Sequence, residues 1–185
     1  MSPILGIFAS QGRVAPNSYE SIATSVVGSG GSSSITFSSI PSTFKHLQIR
    51  FIARSTAATG PRAIYLQVNS DAGNNYAVHT LSGSGSAASA GNSTSSNKIF
   101  VYDNPAANQT ASTFSAQVID VLDYQNTNKY KTTRQLGGYD ANGSGYIFFA
   151  SGLWQSTSAI TSLNFTLESG NFAEFSSFAL YGIKG

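Results

Sequence analysis

Apolar and polar residues alternate along several short segments of this chain, and clusters of Gly, Ser and Asn separate these segments. The clearest case is residues 44–54, where Leu47, Ile49, Phe51 and Ala53 alternate with mostly polar neighbours. Because successive side chains of a β-strand point to opposite faces, this period of two predicts a strand with one face in a core. Helical periodicity is almost absent from the chain, so we expect an all-β protein.

The alternating segments predict short strands over most of the chain, at residues 19–27, 34–40, 44–54, 64–68, 76–80, 98–102, 114–123, 129–136, 146–154, 160–167 and 175–183. Residues 114–123 are apolar in both alternating sets, which predicts a central strand covered on both sides. The Gly-rich residues 28–31 predict a hairpin between the first two strands, and Gly137-Gly138 and Asn142-Gly143 predict turns. Residues 82–96 are all Gly, Ser, Ala, Asn or Thr, and this lack of bulky side chains predicts a long exposed loop.

Short strands at fairly regular spacing, without an internal repeat, predict an antiparallel β-sandwich of the jelly-roll type. A propeller or a β-helix is disfavoured because both are built from repeats. The length of 185 residues fits one domain. We therefore expect a single sandwich domain at residues 18–185, preceded by an N-terminal arm at residues 1–17.

The predicted arm contains an apolar tract formed by Ile4, Leu5, Ile7 and Phe8. The tract is either an ordinary first strand or a docking arm, which would bury these side chains against a neighbouring subunit. It lacks the positively charged start of a signal peptide. No stretch approaches the ~18 apolar residues of a membrane span, so we expect no membrane insertion.

Only 10% of the residues are charged, against about 25% in an ordinary globular domain. The ten Lys and Arg residues are scattered rather than gathered on one face, so we expect no nucleic-acid partner. The chain has no cysteine, which excludes disulfides, thiolate metal sites and a cysteine nucleophile. The two histidines, His46 and His79, lie far apart without a second ligand at suitable spacing, so we expect neither a metal nor a cofactor.

Candidate catalytic residues are few. Asp120 and Asp123 point to opposite faces of a predicted strand, and no Gly-x-Ser-x-Gly nucleophile motif occurs. We therefore expect no enzymatic activity and assign no catalytic residue. An enzyme such as a capsule depolymerase remains the alternative, in which the predicted loop acids Asp103 and Asp140 would act on a polysaccharide.

Aromatic side chains at strand ends raise a different possibility, which is sugar binding. Tyr76, Tyr139 and Trp154 lie in segments rich in Asn, Asp and Gln, and Asp140 follows Tyr139 directly. Exposed aromatic rings beside such polar groups are typical of glycan sites, although core packing or an oligomer interface also explains them. We take these four residues as candidate contacts for a glycan or for an interface.

Several segments in order resemble those of tailed-bacteriophage virion proteins. They are SSIPSTFKHLQIR at residues 38–50, LQVNSD at 66–71 with NY at 75–76, LDY at 122–124 with NKYK at 128–131, SGLW at 151–154, SGNF at 169–172 and FALYGIKG at 178–185. Together the resemblance covers roughly residues 18–185.

The resemblance implies a non-enzymatic structural protein of the virion, either a tail-fibre or tail-tip component or a head-decoration (cement) protein. By analogy with such proteins we expect a homo-oligomer, specifically a trimer, that contacts capsid, tail or baseplate proteins. We expect assembly in the host bacterial cytoplasm and a final location on the virion. The alternative is a carbohydrate-binding module that recognises a host surface glycan as its receptor.

Overall fold

A computed structural model describes residues 18–185, so the expected docking arm with Ile4, Leu5, Ile7 and Phe8 lies outside the described residues. Residues 18–185 form twelve strands and no helix. The strands are β1 (Tyr19–Val26), β2 (Ser34–Phe37), β3 (His46–Ala53), β4 (Arg62–Val68), β5 (Tyr76–Gly83), β6 (Ala88–Ser96), β7 (Ile99–Asn104), β8 (Ser115–Val121), β9 (Lys131–Asp140), β10 (Gly145–Trp154), β11 (Leu163–Leu167) and β12 (Ser177–Ile183). The all-β prediction is confirmed.

The strands form two antiparallel sheets. The large sheet has eight strands in the order β1-β12-β3-β8-β9-β10-β5-β6, and the small sheet has four in the order β2-β11-β4-β7. This arrangement confirms the predicted antiparallel β-sandwich. Its finer description as a jelly roll is not confirmed, because a jelly roll divides eight strands between two Greek keys.

The core lies between the two sheets and follows the alternation seen in the sequence. In β3, Leu47, Ile49, Phe51 and Ala53 are buried, whereas Arg50 and Ile52 between them are exposed. Aromatic rings from both sheets fill the centre: Phe51 stacks on Phe178 with centroids 4.5 Å apart, and Phe165 of the small sheet lies 5.3 Å from Phe178. Each such pair adds about 0.5–1.5 kcal/mol beyond the burial of its apolar area.

The predicted hairpin between the first two strands is wrong. β1 pairs with β12 in the large sheet, and β2 pairs with β11 in the small sheet. The glycine-rich connection instead carries the chain from one sheet to the other. Pairing partners so distant in sequence are selected by burial in the sandwich, which a local turn signal does not report.

Of the two turns predicted from glycine-containing pairs, the structure confirms one. Asn142 and Gly143 have φ of 60° and 104° and join β9 to β10, as a two-residue hairpin turn requires, so this predicted turn is confirmed. The turn predicted at Gly137-Gly138 is wrong, because both residues lie inside β9. A Cβ atom on Gly138 would lie 2.4 Å from the Tyr146 carbonyl oxygen, so glycine permits the close approach of β10 there.

The loop predicted at residues 82–96 is also wrong, since most of it belongs to the β5–β6 hairpin. β6 is an edge strand of the large sheet and its side chains are almost all exposed. The absence of bulky side chains correctly indicated that this segment contributes nothing to the core. Its backbone nevertheless pairs with β5, because ladder hydrogen bonds need no side chain. Within residues 18–185, no helix of sufficient length and apolarity to cross a bilayer is found.

Candidate interaction surface

The outer face of the large sheet carries two adjacent rows of mainly apolar residues that run across the strands. Residues opposite each other in the ladder define the rows. The edge row consists of Val26, Ser177, Ile52, Ala116, Gly138, Ile147, Gly83 and Ala88. The central row beside it consists of Thr24, Ala179, Arg50, Val118, Leu136, Phe149, Leu81 and Ala90. We call these two rows together the apolar face.

The large side chains of the apolar face are open to solvent. Leu136 is 55% exposed, and its cross-strand neighbour Phe149 is 50% exposed. Leu81, next to Phe149, and Ile147, in the edge row, are also exposed. A contiguous apolar patch that crosses several strands, as opposed to single exposed side chains, indicates an interaction site.

Part of the apolar face, including Ile52, Leu136 and Ile147, lines a groove of about 1220 Å³, whereas Leu81 and Phe149 lie outside its lining. The groove extends from Ser177 and Ala179 on β12, across β3, β8, β9 and β10, to Gly83 at the end of β5. The β9–β10 turn, with Gly143 and Ser144, forms part of its wall. The groove therefore runs across the strands and is broadly open to solvent.

A row of polar residues borders the apolar face on the side opposite the β9–β10 turn. Asp120 is the centre of this polar row: its Oδ1 accepts a 2.7 Å hydrogen bond from Gln48 Nε2, and its Oδ2 accepts one of 2.7 Å from Arg134. Arg50 Nε donates to Gln48 Oε1 at 2.6 Å, and its guanidinium lies 5.5 Å from the centre of the Tyr181 ring. An apolar centre with a hydrogen-bonded polar rim is the usual composition of a protein–protein interface.

The outer face of the small sheet is different in character. Most of its side chains are polar or aromatic with a polar tip, namely Ser34, Thr36, Tyr65, Gln67, Asn164 and Thr166, and Phe100 opposite Tyr65 is partly buried. Thr36 Oγ1 donates a 2.8 Å hydrogen bond to Asn164 Oδ1, and the ammonium of Lys98 lies 4.2 Å from the centre of the Tyr65 ring. These polar groups can form hydrogen bonds with water. The outer faces of the two sheets therefore differ in polarity.

Two of the candidate glycan contacts lie side by side but are buried. Trp154 and Tyr76 are opposite each other at one end of the β10–β5 ladder, and their exposed fractions are 3% and 0%. The Tyr76 hydroxyl donates to the Asp71 carbonyl at 2.9 Å and accepts from the Val68 amide at 3.1 Å. Burial raises the pKa of Tyr76 to about 12. Both rings pack in the interior and present no face to a sugar.

The other two candidates, Tyr139 and Asp140, lie at the end of β9, beside the start of β10. Tyr139 is 7% exposed, and its hydroxyl accepts a 3.1 Å hydrogen bond from Gln109 Nε2, while burial raises its pKa. Asp140 is exposed on the wall of the groove, and its Oδ1 accepts from the Asn142 amide at 2.7 Å. The structure thus separates the four residues into two pairs rather than one site.

The acidic residues form no metal centre within residues 18–185, where no cluster of three His, Asp or Glu side chains occurs. Asp71 lies in a turn in which its Oδ1 accepts a 2.8 Å hydrogen bond from the Gly73 amide, a local Asx turn. Burial, followed by the charge of Glu168, raises the pKa of Asp103, which lies at the end of β7. Asp140 and Asp103 lie on different strands, β9 and β7.

Sequence reasoning did not identify the apolar face as a site, although a signal for it was present. Residues 114–123 were expected to be covered on both sides, yet Ala116 is exposed and Val118 half-buried on the outer side. The run Ile147-Phe148-Phe149 likewise places large apolar side chains on both faces of β10, where Phe148 is buried and the other two are exposed. The sequence pattern of β8 and β10 fits a packed layer on each side of the sheet. Within the described residues only one side of these strands is covered.

Comparisons of this chain with protein-family models, with curated proteins and with solved structures give no match.

Proposed function

We propose that this chain is a structural subunit of a tailed-bacteriophage particle, a tail-fibre, tail-tip or head-decoration protein that assembles through the apolar face. The observation that carries the proposal is the pair of continuous apolar rows across the outside of the large sheet. Burying a large apolar side chain contributes about 1.5–3 kcal/mol. Leu81, Leu136, Ile147 and Phe149 therefore supply a substantial driving force for association.

The charge pattern supports contacts made by packing rather than by ion pairing. Arg50 is the only charged residue in the two rows of the apolar face, and the polar row next to it is internally hydrogen bonded. Screening by salt acts mainly on exposed charges. Assembly through this face should therefore depend only weakly on ionic strength, which suits a particle exposed to varied media.

The phage assignment rests on the sequence segments that resemble virion proteins, and several of these segments contact each other in the fold. Trp154 in the SGLW segment hydrogen bonds Asp71 in the LQVNSD segment. Asp123 in LDY pairs with Lys45 of the segment at residues 38–50, with 3.1 Å between Lys45 Nζ and Oδ1. Pairs of the resembling segments thus contact each other within the sandwich.

Within this proposal the chain forms a homo-oligomer, a trimer by analogy with phage fibres and capsid decorations. Its further partners are capsid, tail or baseplate proteins. The sugar-binding alternative receives no support from Trp154, Tyr76 or Tyr139, whose rings are buried. No observation on the apolar face favours a glycan, since its centre lacks the clustered hydrogen-bonding groups that orient a sugar.

The experiment is to locate the chain on particles produced by the source that encodes it. Purified particles are labelled with an antibody raised against this protein and examined by electron microscopy, and the copy number is measured by quantitative mass spectrometry. We expect labelling at one fixed position with a constant copy number per particle. Particles free of the protein, recovered from cells that contain it, would refute the proposal.

A further inference from the structure

We propose that the groove on the apolar face binds the apolar tract at residues 3–9 of a second copy of this chain, so that copies join head to tail. This inference rests on the proposed assembly role and adds which surfaces meet. The tract, PILGIFA, contains no charged residue. Its partner surface is the one part of the sandwich exterior on which exposed Leu, Ile and Phe side chains adjoin across three neighbouring strands, β9, β10 and β5, in the described residues.

The dimensions of the two elements agree. The groove runs across the strands from β12 to β5, which is five strand-to-strand spacings in the sheet order, or about 24 Å. Seven residues in extended conformation, the length of the tract at 3–9, span about 23 Å. A single extended segment of this length therefore covers the groove from end to end.

The direction of the chain where it enters β1 favours a second copy over the same copy. Val26, at the end of β1, lies in the edge row of the apolar face, whereas Tyr19, at its start, pairs with Ile183 on the far side of the polar row. The ladder continues to Ser18, whose carbonyl accepts a 3.0 Å hydrogen bond from the Lys184 amide. From Val26 back to Ser18, the described chain therefore runs away from its own groove.

The length of chain between the tract and the sandwich sets the distance that the tract can reach. The stretch from Ala9 to Ser18 spans up to about 30 Å when extended. A tract on a tether of this length can reach the groove of a neighbouring copy.

A segment of one copy in a groove of the next is a heterologous contact, because the two surfaces differ. Such contacts generate closed rings when the rotation between copies closes, and filaments otherwise. The geometry therefore predicts self-association that needs both surfaces but does not need both on the same molecule.

The test uses the purified full chain and two double variants. The tract variant carries Ile4→Ser and Phe8→Ser, and the groove variant carries Leu136→Ser and Ile147→Ser, two exposed side chains that line the groove. Leu122→Ser with Tyr130→Ser is the matched control, since both side chains are exposed but neither lines the groove. Circular dichroism and thermal unfolding verify that each protein is folded, and Ile52→Ser, at another exposed side chain that lines the groove, replaces the groove variant if that variant does not fold.

Sedimentation velocity over a concentration series measures association. We expect the unaltered chain and the control to form oligomers, and each of the tract and groove variants to associate at least about tenfold more weakly. A mixture of the tract and groove variants should form one-to-one pairs, because one retains the groove and the other retains the tract. We expect no larger assemblies from this mixture, because in each pair the unoccupied tract and the unoccupied groove both carry the substitutions.

Other outcomes overturn the inference. Oligomers that the groove variant loses but the tract variant keeps would mean that a second sheet covers the face. Loss in both variants without pairing in the mixture would contradict the head-to-tail contact. A monomeric unaltered chain would contradict it too, leaving the tract in its own groove or another protein on the face. None of these results bears on whether the chain is present in particles, so the proposed function is tested separately.

Discussion

The indole Nε1–H of Trp154 donates a 2.7 Å hydrogen bond to Asp71 Oδ2, and this bond joins the end of β10 to the turn that follows β4. β10 belongs to the large sheet, and the bond fixes it to the connection that carries the chain from β4 of the small sheet to β5 of the large sheet. Asp71 also accepts hydrogen bonds from Asn75 Nδ2 and from the Gly73 amide, which hold the carboxylate in place. A side chain that appeared suitable for sugar stacking is therefore a buried structural link.

Removing either partner of this bond should weaken the fold. Trp154→Phe keeps most of the ring packing but removes the donor, and Asp71→Ala removes the acceptor. We expect each change to lower the free energy of unfolding by about 1–3 kcal/mol, the usual cost of leaving a partly buried polar group unpaired. Urea denaturation of the two single variants and the double variant measures the coupling, and strictly additive effects would show that the bond contributes nothing.

Acid should weaken the fold through Asp123. Hydrogen bonds from Lys129 and Lys45 lower the pKa of Asp123 to about 2. Because this folded-state pKa lies below the ordinary value of 3.8, the unfolded chain takes up the proton first as the pH falls. The stabilisation is therefore complete above about pH 4 and is lost as the pH approaches 2.

Urea midpoints between pH 2 and pH 6 test this expectation. Asp123→Asn should reduce the acid-dependent loss of stability, whereas Glu174→Gln, at an exposed carboxylate, should leave it unchanged. Hydrogen bonds from Trp154, Asn75 and Gly73 also lower the pKa of Asp71, so part of the acid dependence should persist in the Asp123 variant. An Asp123→Asn profile identical to that of the unaltered chain would contradict the assignment.

Lys131 stabilises two loops from the interior. It is 1% exposed, and its ammonium donates to the carbonyls of Asn126, Lys129 and Thr157 at 2.7, 3.0 and 3.0 Å. Lys131→Met keeps the length of the side chain but leaves three carbonyls without this donor. We expect a loss of at least about 3 kcal/mol in the free energy of unfolding. Lys184→Met, at an exposed ammonium, is the control and should change the free energy by less than about 0.5 kcal/mol.

The absence of a side chain at Gly182 leaves room for the ring of Phe44. A Cβ atom at Gly182 would lie 2.2 Å from Phe44 Cγ, and Phe44 is buried in the core. Gly182→Ala should therefore displace the ring and destabilise the fold by about 1–3 kcal/mol. Gly28→Ala adds a Cβ with no atom within 4 Å and should have little effect. Thermal unfolding compares the two, and equal melting temperatures would contradict this packing argument.

Much of the secondary structure was predictable because alternation is a local signal. The inward positions Leu47, Ile49 and Phe51 of β3 are all buried, as the period of two requires. The same reasoning found the Asn142-Gly143 turn, where the residue types themselves permit positive φ. It misplaced Gly137-Gly138, because a glycine inside a strand and a glycine in a turn look alike until the neighbouring strand is known.

The candidate sites were less predictable than the strands. Aromatic residues next to Asp and Asn suggested exposed rings, but the sequence does not report which face of a strand end is covered. Burial of Tyr76 and Trp154 follows from packing between sheets, whereas exposure of Phe149 follows from the absence of a layer outside the large sheet. The apolar face emerges only when side chains from β3, β8, β9, β10 and β5 are placed in register.

The sequence by itself determined that the chain is an all-β protein with few charges and one alternating core, because side-chain period and composition act within a few residues. Only the tertiary structure decided that β1 pairs with β12 and not with β2, and that Lys131 is buried. It also decided that Leu136 and Phe149 meet on an uncovered face. These outcomes depend on contacts between residues far apart in the chain, whose choice is set by the burial of the whole sandwich.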